Sequence, residues 1–245
     1  MKALEQTSPY ENIIIGNFLY GLGFNVARLS GSTVPPACIN LLQQTPLDSK
    51  LSDVLINLGG AVRLLEFKRT SNKSDKEENK AEILRLVLRE QPHLIPVSRA
   101  VHWHVLSGLT GVAQDVDVTL SKYIDIAAEA EVMTLAAFTS ITAHKMIREP
   151  ELEPSQRLVD AYLKCVVEMA SASGSSNGGI VVHVSDEGEI RYIALRDLLD
   201  LTLDHSLLVE RAQEHTKNIQ AQRTTELERQ YTLQHEPKQS YGMGR

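Results

Sequence analysis

The sequence predicts an α/β fold, and three observations support that prediction. Two largely apolar runs, residues 51–58 and 61–68, are joined by Gly59-Gly60. A Gly-Gly pair tolerates the positive φ angles of a tight turn, so the two runs read as a β-hairpin. Patterns typical of helix starts lie on either side, at Ser8 and at Ser74, which places helices before and after the hairpin.

Composition narrows the class of protein. The chain has 245 residues, of which 42% are hydrophobic and 23% charged, as in ordinary globular proteins. A net charge of -6 argues against a protein that coats nucleic acid broadly, so any nucleic acid must meet a local patch. The two cysteines, Cys38 and Cys165, form no CxxC pair. No signal peptide or apolar run of about 20 residues is apparent, and we expect a soluble, cytoplasmic protein with no membrane partner.

The hairpin brings three charged residues together. With a two-residue loop, Leu58 faces Ala61, and counting outward places Asp53 opposite Glu66 with Cβ atoms about 4.5–5.5 Å apart. Lys68 shares that face because side chains alternate along a strand. Adjacent carboxylates repel each other unless a cation lies between them, and hard oxygen ligands suit Mg²⁺ or Mn²⁺. The pattern therefore predicts a metal site.

These residues also carry a family resemblance. Asp53, followed thirteen residues later by Glu66-Phe67-Lys68, resembles the D…ExK signature of the PD-(D/E)xK nuclease superfamily, with Ser52 in place of the Pro. The resemblance covers roughly residues 8–126 and implies a restriction-endonuclease-like α-β-β-β-α-β core, a mixed sheet flanked by helices. It implies that Asp53 and Glu66 bind Mg²⁺ or Mn²⁺. Lys68 would then position or help activate the attacking water.

The region before the hairpin holds a candidate third ligand. Ser8-Pro9-Tyr10-Glu11 forms a capping box, and Gly21 and Gly23 predict the end of the helix. A strand is predicted over 24–29 and a helical turn over 37–44. In the resembled superfamily an acidic residue of the first helix often completes the metal site, which makes Glu11 a candidate ligand. Capping alone also explains Glu11.

The region after the hairpin supplies candidate nucleic-acid contacts. Ser74 and Glu77 form a second capping box, which opens a predicted helix ending near Glu90. Basic residues lie around its start and could meet phosphates, although a solvated helix end explains them equally well. These candidate contacts are Arg69, Lys73, Lys76 and Lys80.

Two further strands are predicted over 99–106 and 116–126. The first would place His102 and His104 on one face and Trp103 on the other. The two histidines could bind a transition metal, line the nuclease cleft, or lie on an exposed sheet face.

The second half of the chain has a different character. Helices are predicted over 129–147, 155–171 and 198–212, a hairpin over 180–195, and a polar tail from about 213. We therefore divide the chain into a nuclease-like core, residues 1–126, and a mainly helical extension, residues 127–245. The extension is expected to contact a partner protein or a second copy of the chain.

The predicted function is metal-dependent hydrolysis of phosphodiester bonds, with DNA as the substrate that the resemblance implies. By analogy, the protein would be the effector of a bacterial antiviral defence or DNA-processing system. The alternative is a non-catalytic nuclease-fold subunit that acts as an interaction or nucleic-acid-binding module in a larger complex. The residues leave open whether cleavage is endo- or exonucleolytic.

Overall fold

The computed structural model describes residues 9–31, 37–41, 52–58, 61–72, 75–110, 115–128, 130–149, 152–170, 180–184 and 190–194. All of them belong to one compact unit, Met1–His205. The helices are α1 (Glu11–Ser30), α2 (Lys76–Arg89), α3 (Ile95–Val101), α4 (Leu135–Arg148) and α5 (Gln156–Ala170). The strands are β1 (Ala37–Leu41), β2 (Val54–Leu58), β3 (Ala61–Arg69), β4 (His102–Thr110), β5 (Asp115–Lys122), β6 (Glu131–Thr134), β7 (Ile180–Val184) and β8 (Ile190–Ala194).

The described strands form one mixed sheet in the order β6-β5-β4-β3-β2-β1-β7-β8. Neighbouring strands are antiparallel except β3 and β4, which are parallel. A parallel pair needs a long crossover connection, and α2 and α3 provide it. The α/β class predicted from the sequence is therefore confirmed.

The register of the β2–β3 hairpin is the predicted one. Leu58 pairs with Ala61 and Val54 pairs with Leu65, while Gly59 and Gly60 lie outside the described residues. The backbone N–H of Asp53 donates to the carbonyl of Leu65 at 3.2 Å. Asp53 thus lies just beyond the last strand pair, beside Glu66.

Helices cover both faces of the sheet. On one face α1 and α4 enclose a core in which the Phe18 ring lies 5.1 Å from the ring of Phe138 and 5.5 Å from that of Phe67. The other face of the sheet lies against α2, α3 and α5, which bury residues such as Leu84, Val101 and Tyr162. Burial on both faces explains why β2 and β3 are apolar almost throughout.

This core crosses the predicted division at residue 126. Helix α4 packs against α1, and Phe138 belongs to the same apolar cluster as Phe18. The predicted 180–195 hairpin is present as β7 and β8, and β7 pairs with β1 in the same sheet. Elements on both sides of residue 126 therefore contribute to one sheet and one apolar core. The helix expected over 198–212 and the tail from 213 lie outside the described residues.

The first helix is longer than predicted. Gly21 and Gly23 lie inside α1, so residues 24–29 are helical and the predicted strand is wrong. A Cβ on Gly21 would lie 3.2 Å from Thr139 Cγ2, so this glycine permits the close approach of α1 and α4. The helix ends at Gly31, whose φ of 66° suits glycine.

Several other helices and strands begin or end at residues that differ from the predicted ones. Residues 37–41 are strand β1 where a helical turn was predicted, because they pair with β2 and β7 on either side. The strand expected from residue 99 begins at His102, since Ile95–Val101 is helix α3. The strand expected to reach residue 126 ends at Lys122. The helix expected from residue 129 begins at Leu135, after β6.

Within the described residues, α1 is long and apolar enough to span a membrane by length and composition alone. Its Phe18 and Leu22 are buried against the core. Packing of this side therefore accounts for part of its apolar composition.

Candidate metal centre

Five charged side chains meet on the sheet face covered by α2; we call them the carboxylate–lysine cluster. Its members are Asp53, Glu66, Lys68, Glu77 and Lys80. Lys68 is central: its Nζ lies 2.7 Å from Glu66 Oε1, 3.8 Å from Asp53 Oδ2 and 3.9 Å from Glu77 Oε1. The structure thus brings together Asp53, Glu66 and Lys68, the three residues predicted to form the site.

The hairpin itself orients Asp53. This residue is buried, and its Oδ2 accepts a hydrogen bond from the backbone N–H of Phe67 at 2.7 Å. That bond ties the carboxylate to β3 between Glu66 and Lys68. Immediately before it, the hydroxyl of Ser52 is hydrogen-bonded to Nε2 of His102 at 2.9 Å. Both residues of the Ser52-Asp53 pair are therefore held by side-chain hydrogen bonds.

Helix α2 contributes the other two charges. Lys80 Nζ lies 3.0 Å from Glu77 Oε1 and 3.7 Å from Glu66 Oε1, and the hydroxyl of Tyr123 donates to Glu77 Oε2 at 2.8 Å. The sequence pattern predicts Glu77 only as a helix cap and does not indicate that Tyr123 belongs to the site. Glu77 lies four residues before the buried Ala81, on the side of α2 that faces the sheet. That spacing is the signal that could have found it.

Burial dominates the electrostatics of Glu66. This residue is 1% exposed, and its pKa is raised to about 8, chiefly by burial and also by Asp53, whereas Lys68 and Lys80 oppose the rise. Its Oε2 is buried without a hydrogen-bond partner among the residues that the structure describes. A buried carboxylate oxygen with no donor is costly. A cation at this atom would remove that cost.

Lys68 remains an ammonium. Burial alone would lower the pKa of Lys68, but Glu66 and Asp53 hold it above its ordinary value. The pKa of Glu77 is lowered overall, because Lys80 and the Tyr123 hydroxyl outweigh the effect of burial. At neutral pH Lys68 therefore donates hydrogen bonds and does not accept a proton.

The two histidines of β4 lie on one face of the strand, as predicted; that face is the one of this cluster, and both histidines are neutral. Burial lowers the pKa of His102 to about 3 and that of His104 to about 4. His102 is hydrogen-bonded at Nε2 to Ser52 and at Nδ1 to the Tyr162 hydroxyl, the latter at 2.8 Å. With both ring nitrogens engaged, His102 has none left to bind zinc. His104 instead lines the cavity beside Lys68.

The cluster opens onto a cavity of about 530 Å³. Its lining includes Lys68, Asn72, Lys76, Glu77 and His104. The Lys68 side chain is 18% exposed, so the ammonium is accessible from the cavity although the carboxylates below it are buried.

The other residues predicted as a metal ligand or as nucleic-acid contacts are Glu11, Arg69, Lys73, Lys76 and Lys80. Oε1 of Glu11 accepts a hydrogen bond from the Arg69 backbone N–H at 3.2 Å, next to Lys68 in the chain, and Glu11 stays a predicted ligand. The Arg69 guanidinium lies 5.0 Å from the centre of the Tyr10 ring, toward α1. Lys80 is engaged with carboxylates, and Lys76 lines the cavity. Lys73 lies outside the described residues.

The donors present fit a hard divalent cation. Asp53 and Glu66 supply carboxylate oxygens, one of them the unpartnered Glu66 Oε2. No group of three or more His, Cys, Asp or Glu suited to a metal occurs in the part of the chain that the structure describes. Mg²⁺ commonly uses one or two carboxylates and keeps several waters, so two suffice. Comparisons with protein-family models, curated proteins and solved structures give no match to this chain.

Proposed function

We propose that the protein is a Mg²⁺-dependent nuclease of the PD-(D/E)xK type that hydrolyses phosphodiester bonds in DNA. The observation that carries the proposal is the convergence of Asp53, Glu66 and Lys68 on one sheet face, with a Glu66 oxygen that has no hydrogen-bond partner in the described part of the chain. The element order α1-β1-β2-β3-α2-β4, with α3 added before β4, is compatible with the restriction-endonuclease-like core that the sequence resemblance implies.

Asp53 and Glu66 would hold Mg²⁺ or Mn²⁺. When bound, the metal supplies a Lewis acid that offsets charge on the scissile phosphate and acidifies a water. The hydrogen bond from the Phe67 N–H fixes the Asp53 carboxylate toward Glu66. Because burial favours protonated Glu66, its ionised form depends on cations close by.

Lys68 would orient the attacking water and stabilise the transition state. Its raised pKa keeps it protonated at neutral pH, which disfavours a role as general base. Its ammonium can instead donate hydrogen bonds to a water or to a phosphate oxygen in the adjoining cavity. Lys80 would position Glu66 and Glu77.

The substrate would enter through the 530 Å³ cavity. Lys76 lines the cavity and is suited to contact the DNA backbone. By analogy with the resembled superfamily, we place the protein in the cytoplasm, as the effector of a bacterial defence or DNA-processing system.

A second candidate is a non-catalytic module on the same fold. Lys68 and Lys80 oppose the charges of Asp53, Glu66 and Glu77 without any metal, so the cluster could simply fasten α2 to the sheet. Such a module would bind nucleic acid or a partner protein, or assemble as a homo-oligomer, through the region after residue 126. Metal dependence separates the two candidates.

The experiment is cleavage of supercoiled and linear DNA by purified protein with Mg²⁺, Mn²⁺ or EDTA. Wild type should cut only with metal, and Lys68→Met should lose at least about 100-fold in rate, as when one transition-state donor is removed. The control is Lys164→Met on α5, whose side chain is 68% exposed. Equal cutting by wild type and Lys68→Met would refute the catalytic role. Absence of both cutting and metal binding would favour the module.

A further inference from the structure

A second cavity lies on the opposite face of the sheet, beside α4. Its volume is about 430 Å³, within the range of small-molecule sites. About half of its lining residues are apolar, among them Leu65, Leu120, Met133 and Phe138. The charged lining residues are Arg63, Lys122, Lys145, Glu131, Glu149 and Glu153. Because side chains alternate along β3, Leu65 and Glu66 point to opposite faces. The second cavity is therefore separate from the carboxylate–lysine cluster and does not depend on the proposed nuclease function.

Two lysines give this cavity a cationic wall. Lys122 pairs with Trp103 across β4 and β5, and its Nζ lies 2.9 Å from the centre of the Trp103 ring. Lys145 reaches the same cavity from α4. Neither ammonium lies within 4 Å of a described carboxylate. Arg63, which also lines the cavity, is already paired with Glu153, whose Oε2 accepts from Nη1 at 2.7 Å.

The cations near Lys122 lower its pKa by more than the nearby carboxylates raise it. The pKa of Lys122 is lowered to about 8, chiefly by burial and also by Lys145 and Arg63, while Glu131 and Asp125 only partly compensate. Like charges on a half-buried wall repel each other, and an anion placed between them relieves that repulsion.

Of the remaining carboxylate neighbours, Glu149 lies 3.3 Å from Nδ1 of His144 and Glu153 holds Arg63. The cavity therefore combines apolar side chains with two lysines that form no ion pair within 4 Å with a described carboxylate.

We propose that this cavity is a binding site for a small organic anion with a flat apolar body. Its anionic group would lie between Lys122 and Lys145, and its apolar part would pack against Leu65 and Phe138, close to the Trp103 ring. Apolar walls with a few placed charges are the usual composition of such sites.

Trp103 makes the test site-specific, because it is the single tryptophan of the chain. The probe is 8-anilinonaphthalene-1-sulfonate, an aromatic monoanion, titrated while Trp103 emission is recorded. We expect saturable quenching with energy transfer to the probe. Affinity should fall at least about tenfold in Lys122→Met and in Lys145→Met, the loss of one charged contact. Lys122→Arg, which keeps the charge, should bind as wild type does.

Lys164→Met is the surface control, and melting curves establish that each variant is folded. Affinity should also decrease as the pH rises through about 8, and this decrease should be absent in Lys122→Met. Unquenched Trp103 emission at saturating probe would overturn the proposal. An affinity equal to that of wild type in folded Lys122→Met and in folded Lys145→Met would overturn it too, because the two lysines would then contribute nothing to binding the probe.

Discussion

Glu66→Gln should stabilise the metal-free protein at alkaline pH. Burial raises the pKa of Glu66 from 4.5 to about 8, so the folded state keeps a proton that the unfolded chain has already released. The proton on Glu66 contributes its full stabilisation of the folded state below pH 4.5. This stabilisation decreases as the pH rises to about 8, and no further decrease occurs above that pH. Three to four pKa units at 1.36 kcal/mol each give a loss of up to about 5 kcal/mol.

The amide of Gln does not titrate, so the free energy of unfolding of Glu66→Gln does not decrease with pH in this way. Its side-chain oxygen can still accept a hydrogen bond from Lys68. The free energy of unfolding of wild type relative to Glu66→Gln should therefore fall by up to about 5 kcal/mol between pH 4.5 and pH 8.5.

Urea denaturation in EDTA, followed by circular dichroism, measures this difference. Glu82→Gln, on the exposed side of α2, is the matched control and should track wild type. A difference that stays constant across the pH range would refute the reasoning. It would mean that Glu66 is ionised across the whole pH range, because Lys68 lowers the pKa of Glu66 by at least as much as burial raises it.

Three further substitutions test the packing around the site. Tyr123→Phe removes the donor to buried Glu77 Oε2 and should cost about 1–3 kcal/mol in urea denaturation; no change would mean that water replaces the hydroxyl. Tyr162→Phe removes the hydroxyl bonded to His102 and should cost a similar amount, and it should weaken Mn²⁺ binding measured by calorimetry. Phe18→Ala empties the core between the sheet and α4 and should cost about 3–5 kcal/mol; a loss below 1 kcal/mol would contradict the packing described.

The hairpin was predictable because its signals are local. Two glycines between apolar runs predict a register, the strand pairing confirms that register, and it places Asp53 beside Glu66. Lys68 follows from strand alternation. These steps need no knowledge of the rest of the fold.

Prediction failed where tertiary packing decides the outcome. Gly21 has the local character of a helix end, yet its role is to let α1 approach Thr139 of α4. The apolar run 37–41 is too short to distinguish strand from helix by periodicity, and its pairing with β2 and β7 decides it.

The site was incomplete for the same reason. The basic residues at the start of α2 predict phosphate contact or a solvated helix end, and the contact of Lys80 with Glu66 and Glu77 arises only because α2 packs over β3. Phosphate contact by Lys80 stays a prediction. Tyr123 reaches Glu77 from a segment 46 residues further along the chain. No sequence pattern joins residues so far apart.

The central claim is that Asp53 and Glu66 bind a divalent cation while Lys68 acts on the substrate. The most direct measurement is Mn²⁺ binding by titration calorimetry at pH 8, for wild type, Asp53→Asn, Glu66→Gln and Lys68→Met. Wild type should bind, and both carboxylate variants should lose binding. Lys68→Met should still bind Mn²⁺, because Lys68 supplies no ligand atom and its ammonium, 2.7 Å from Glu66 Oε1, competes with the metal. Equal Mn²⁺ binding by wild type and by both carboxylate variants, or none by wild type, would contradict the claim.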